Sequence, residues 1–181
     1  PDFVAADLMS QAEHGSGFEA AICITDNMDT AKMIAACVEE QVENSPKREL
    51  LEKVLDNFGR ILVVDNWFDG VAIANRIAPE HLEIMTCEAE ELSKSILNAG
   101  AVFIGPWSSE PVGDYFAGPD HVLPTNGTAR FSSPLGVYDF VKRMSIINYS
   151  QKAIQKHGKA IAEMATTEGF YHHAQAVLKR L

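Results

Sequence analysis

Apolar and polar positions change their spacing several times along the first hundred residues. Over 3–14, Phe3, Val4, Leu8 and Ala12 recur at helical spacing, with Asp2 placed as an N-cap and Gly15-Ser16-Gly17 as a stop. Phe18 to Thr25 is a short apolar run that reads as a buried strand. Asp26 or Asn27 can cap a helix over 28–43. Ser45-Pro46 opens another, with the proline in its first turn, and Gly59 breaks it. Arg60 to Val64 is the clearest strand. A helix over about 67–77, a strand from His81 to Thr86, a helix from Glu88 to Asn98 and a strand from Ala101 to Ile104 complete the series. Strand and helix alternate throughout, which predicts an α/β fold, a parallel sheet with flanking helices.

The rhythm changes at Gly105. Residues 105–136 carry Pro106, Pro111, Pro119, Pro124 and Pro134 and read as one long loop, a length that usually signals function. Residues 137–181 read as mainly helical, with Ile154, Ile161 and Met164 on one face and a last helix from about 169. The chain thus divides into an α/β domain over 1–136 and a small C-terminal helical segment over 137–181.

Composition narrows the function classes. The chain has 181 residues, enough for one domain with a small appendage, and 46% of them are hydrophobic, so it can bury a core. A formal net charge of -10 argues against a nucleic-acid surface, which needs clustered Lys and Arg. Cys23, Cys37 and Cys87 are scattered without a CxxC, against a disulfide framework and in favour of a reducing cytoplasm. No apolar run approaches the roughly 18 residues of a membrane span, and no GxGxxG or P-loop follows a strand. Pro1, running directly into a helical pattern, suggests a cut end.

Four polar clusters remain, each with a bland and a functional reading. Gln11 and His14, three apart on the first helix, share a face: either helix surface or a chelating pair. Glu80 and His81 stand at a helix-to-strand junction after Pro79, as structural caps or as a proton-exchanging pair tuned near neutral pH. Asp114 and His121 share the long loop, whose glycines and prolines could hold both inward. Near the C-terminus, Glu168 and His172 stand at i and i+4, with His173 turned away from Glu168 in a regular helix. His157 reads as solvated.

Taken together, these clusters resemble the histidinol dehydrogenase family. The resemblance runs through Pro1 to Leu8 with Gln11-Ala12-Glu13-His14-Gly15, Ala78-Pro79-Glu80-His81-Leu82-Glu83, Asn98-Ala99-Gly100-Ala101, Gly113-Asp114-Tyr115, His121-Val122-Leu123-Pro124-Thr125, Gly127-Thr128-Ala129-Arg130-Phe131, Glu168-Gly169 and His173-Ala174. It covers essentially the whole chain. It implies a zinc- and NAD-dependent oxidation of L-histidinol to L-histidine in two hydride transfers. Gln11, His14, Asp114 and His173 match the zinc ligands, and Glu80 and His81 the acid–base pair. His121 and Glu168 match substrate-contacting positions, which Gln11, His14, His81, Asp114 and His173 would share.

Further expectations follow from the same resemblance. The C-terminal segment would complete the partner's site in a homodimer. The sheet would be a partial Rossmann-like one, because the family's upstream half, with most of the NAD site, is not in this sequence. The chain alone would then be inactive towards NAD. A non-catalytic, zinc-stabilised dimer module and a related zinc- and NAD-dependent amino-alcohol dehydrogenase are the alternatives. Asp120 stands where the family usually has Asn, a departure expected to be mild.

Overall fold

In the computed structural model, which describes residues 1–181, every strand is short and lies beside a single neighbour. Strand β1 (Ile22–Thr25) pairs in parallel with β2 (Arg60–Val63), Ile22 opposite Arg60 and Thr25 opposite Val63. Strand β3 (His81–Ile84) pairs in parallel with β4 (Ala101–Ile104), His81 opposite Ala101 and Ile84 opposite Ile104. The fold is α/β as expected, but its strands form two two-stranded sheets instead of one. Apolar patterning specifies which face of a strand is buried and leaves its hydrogen-bonding neighbour open. Each strand is consequently an edge, and Val63, Val102 and Ile104 stay about two-fifths exposed.

Helix α1 (Asp2–Ala12) precedes these strands, and four helices connect them: α2 (Met28–Glu43), α3 (Arg48–Phe58), α4 (Trp67–Ile77) and α5 (Ala89–Ser93). Asn27 caps α2, its Oδ1 accepting from the Asp29 and Thr30 N–H groups at 2.9 Å each. Asn66 caps α4 in the same way, accepting from Asp69 N–H at 3.0 Å. Helix α4 ends at Ala78, buried and left-handed (φ 53), directly before Pro79, which disfavours helical geometry in the residue preceding it. Helix α5 is shorter than its sequence pattern. Asn75 Oδ1 accepts from Leu97 and Asn98 N–H at 2.6 and 3.2 Å, taking backbone donors that a longer helix would use internally. The core of this region joins Ala12, Ala21, Val42, Leu51 and Val54, with Leu8, Met9, Val38, Leu50 and Leu55 packed around it. On α1 it is Ala5 and Ala12 that are fully buried, while Phe3 is half exposed.

The stretch read as one long loop contains helix α6 (Glu110–Tyr115) and a 3-10 turn at Thr128–Arg130. Ser109 before α6 and Pro111 in its first turn form a helix start, which the density of prolines concealed. The chain divides into two compact units, Pro1–Phe140 and Val141–Leu181. In the second, α7 (Gln151–Thr167) and α8 (Tyr171–Leu178) are joined through left-handed Gly169 (φ 82) and bury Gly158, Ala162 and Ala174. Residues 141–150 carry no helix, so the helical part starts later than the sequence suggested. Neighbouring Ile146 and Ile147 lack helical spacing, and both are more than four-fifths exposed. No helix is long and apolar enough to cross a membrane.

Candidate metal and acid–base site

Two glycines let the backbone close around His81. Gly100 N–H donates to Pro79 O at 2.9 Å and Ala101 N–H to Glu80 O at 2.8 Å, pinning the turn that leads into β3. A Cβ on Gly100 would lie 2.6 Å from the Glu80 carbonyl oxygen, so only glycine fits without a backbone shift. A Cβ on Gly113 would lie 2.6 Å from Phe103 Cε1, so glycine also lets α6 come against β4. His81, the first residue of β3, thereby faces α6 on one side and α1 on the other.

The His81 and Glu110 side chains are each only 10% exposed. His81 Nδ1 lies 3.4 Å from Gln11 Oε1 on α1. An amide oxygen only accepts, so Nδ1 carries the proton and Nε2 keeps its lone pair. That Nε2 is buried, has no hydrogen-bond partner, and stands 4.0 Å from Glu110 Oε1. Ligand atoms of His81, Glu110 and Asp114 all lie within 4.8 Å of one another. Glu110 and Asp114 stand at i and i+4 on α6, one above the other. Ser10 on α1 donates its hydroxyl hydrogen to Glu110 Oε2 at 3.0 Å.

Charge and burial tune these groups. Burial pushes the His81 imidazole below its usual pKa, opposed by the negative charges of Glu80 and Asp114, so the ring is neutral near pH 7. Burial raises the Glu110 carboxyl, and a hydrogen bond with Asp114 adds to this while the Ser10 hydroxyl opposes it. Beneath them sits a second carboxyl pair. Glu83 Oε1 accepts from Glu110 N–H at 3.0 Å, while Glu83 Oε2 is buried with no donor in reach. Burial, then the hydrogen bond and charge of Asp7, push Glu83 up to about 8; burial also raises Asp7. Two carboxyl groups share such a contact when one of them holds the proton.

The candidates from the sequence fall into three groups. Gln11, His81 and Asp114 converge in this cluster. His14 and Glu80 stand at its edge. His14 is exposed, with Nδ1 3.0 Å from Gln11 O, and both residues act on the His81 ring through charge. His121 is exposed in the irregular stretch after α6. Asp120 Oδ1 accepts from Val122 N–H at 2.7 Å there, a contact an Asn oxygen would make equally. Glu168 and His173 belong to the second unit: Glu168 ends α7, and His173, on α8, packs its ring 5.0 Å from that of Phe170. Both are exposed, as is His157.

Glu110, Ser10, Glu83 and Asp7 were not among the candidates. The signal for Glu110 was its four-residue spacing to Asp114, legible only once 110–115 is recognised as helix. For Glu83 it was the position two residues after His81 on a strand, which places both on one face.

The whole chain, residues 1–181, matches the family model described as histidinol dehydrogenase. It is 51% identical over 181 residues to the histidinol dehydrogenase of Geobacillus kaustophilus (strain HTA426), spanning 100% of this chain and 42% of that protein. It is 49% identical over 180 residues to that of Bacillus subtilis (strain 168), spanning 99% and 42%. Among solved structures, the crystal structure of histidinol dehydrogenase from Elizabethkingia anophelis superposes with a TM-score of 0.94 at 37% identity, over 99% of this chain and 41% of that one. The chain therefore spans about two-fifths of the length of these relatives.

Proposed function

The chain belongs to the histidinol dehydrogenase family, and from that premise we propose that it supplies the metal-binding and acid–base portion of an enzyme oxidising L-histidinol to L-histidine with two NAD in the cytoplasm. The observation that carries this reading is His81 Nε2. It is a buried lone pair without a partner, facing two carboxyl groups, with its ring fixed through Nδ1 by Gln11.

The residues fit a zinc ion. Two mutually repelling carboxyl groups, Glu110 and Asp114, are relieved by a divalent cation on Asp114, which leaves the His81 lone pair beside them free as a base. In this reading Gln11, His14 and Asp114 hold the metal together with His173, whose C-terminal segment serves the partner's site in a homodimer. When bound, zinc would supply the positive charge that holds the substrate and orients its alcohol carbon.

The remaining work belongs to side chains. His81, kept neutral by burial, accepts the hydroxyl proton as the alcohol carbon gives up hydride to NAD. Glu80, beside it, takes a proton from the water that adds at the aldehyde level. Glu168 pairs its negative charge with the substrate's ammonium, and His121 contacts the substrate. The NAD site lies in the remaining part of the enzyme, so the 181-residue chain alone binds metal without turning over.

Metal content of the dialysed protein, followed by calorimetric titration with histidinol, tests the reading. Stoichiometric zinc and saturable histidinol binding support it. Zinc without histidinol binding favours the metal-stabilised module. Absence of both zinc and histidinol binding overturns the reading for this chain, and turnover with NAD overturns the assignment of the NAD site to other residues.

A further inference from the structure

Glu110 is the most buried charged residue of the chain, and the proposed set of ligands and acid–base residues does not use it. Its surroundings are built. Ser10, which donates to Glu110 Oε2 at 3.0 Å, precedes Gln11 on α1. Asp114 lies one turn further along α6, within hydrogen-bonding reach of the Glu110 carboxyl. His81 Nε2 stands 4.0 Å from Glu110 Oε1 without a partner of its own. The Glu110 backbone N–H is tied to Glu83 on β3. One side chain thus touches or faces all three elements that bring proposed metal-site groups together.

From this geometry we propose that Glu110 is a positioning residue of the metal centre, clamping Asp114 and α1 around His81 through its Ser10 and Asp114 contacts. The inference rests on the zinc reading above. Groups that orient metal ligands typically change affinity without touching the ion. A buried carboxyl held next to another carboxyl is also a cost to the empty protein, which the bound cation offsets. The two effects carry opposite signs, and a purely structural residue would not produce that pattern.

The test uses the full 181-residue chain. Zinc affinity is measured by chelator competition for the parent, Glu110→Ala, Glu110→Gln and Ser10→Ala, alongside melting curves in chelator. We expect Glu110→Ala to weaken zinc about 10- to 100-fold. Glu110→Gln, which can still accept from Ser10 and donate to Asp114, should lose clearly less and melt at or above the parent temperature without metal. Ser10→Ala should fall between the parent and Glu110→Ala, and it keeps the proposal testable if Glu110→Ala does not fold. Zinc affinity of Glu110→Ala within about twofold of the parent would overturn the role. A loss in Glu110→Gln as large as in Glu110→Ala would make Glu110 a direct ligand, against positioning. A Glu110→Gln protein that loses metal-free stability and zinc affinity together would make the residue structural. A parent that binds no zinc overturns both this inference and the reading beneath it, whereas a parent that binds zinc with indifferent variants overturns only this one.

Discussion

At the scale of single residues, the buried carboxyl pair under His81 makes stability depend on pH. Glu83 is pushed up to about 8, chiefly by burial, whereas in an unfolded chain it releases its proton near the ordinary carboxylate value. Between these two values the folded protein holds a proton that the unfolded chain has lost. Stability is therefore highest below the unfolded value and falls as pH rises through the window, with the loss complete above about 8. Asp7, also raised by burial, adds to the same trend. Glu83→Gln keeps an acceptor for the Glu110 N–H and a donor for Asp7 but cannot ionise. Melting curves in chelator between pH about 5 and about 9 should give this variant a flatter profile and a higher melting temperature than the parent at the alkaline end. Parallel profiles would show that Glu83 ionises freely in the folded protein.

At the scale of elements, the turn between α4 and β3 leaves no room at Gly100. Gly100→Ala brings a methyl group against the Glu80 carbonyl at 2.6 Å, Pro124 Cδ at 3.1 Å and Leu123 Cβ at 3.3 Å. The Glu80 oxygen cannot retreat without lengthening its 2.8 Å bond from Ala101 N–H, which begins the β3–β4 pairing. The expected cost is about 1–3 kcal/mol in thermal or urea unfolding. A change under about 0.5 kcal/mol would mean that the turn adapts freely. Elements are also where the sequence was most and least legible. Asn27, one of two candidate caps, announced the start of α2, and the apolar runs at 60–64 and 101–104 announced their strands, because caps and burial patterns are local. The strand pairing was not local, so two sheets looked like one. Helix α6 was hidden because Pro111 was weighed as a loop residue, when proline in a first turn starts a helix. With α6 hidden, Glu110 had no visible relation to Asp114. Gln11, His81 and Asp114 stood out by residue type and motif; the carboxyl groups that surround them are ordinary residues whose significance comes only from burial.

At the scale of the whole molecule, the division at Val141 has consequences of its own. Each unit has its own buried residues: the cluster around Val54 in the first, and Gly158, Ala162 and Ala174 between α7 and α8 in the second. Residues 141–150, at the start of the second unit, have no regular structure, and Met144, Ile146 and Ile147 are all more than three-quarters exposed. Backbone without ladder hydrogen bonds and with exposed side chains enters a protease cleft with little local unfolding. Brief digestion with chymotrypsin or trypsin, followed by mass spectrometry, should give first cuts within 140–150 and a persistent fragment ending near Phe140. First cuts inside α2 or α3 would contradict this. The same stretch gives the chain a natural point of separation. A single nick there would leave Gln11, His81, Glu110 and Asp114 on one polypeptide and Glu168 and His173 on another, so mixing the two pieces would ask by complementation whether the C-terminal helices act as a removable component.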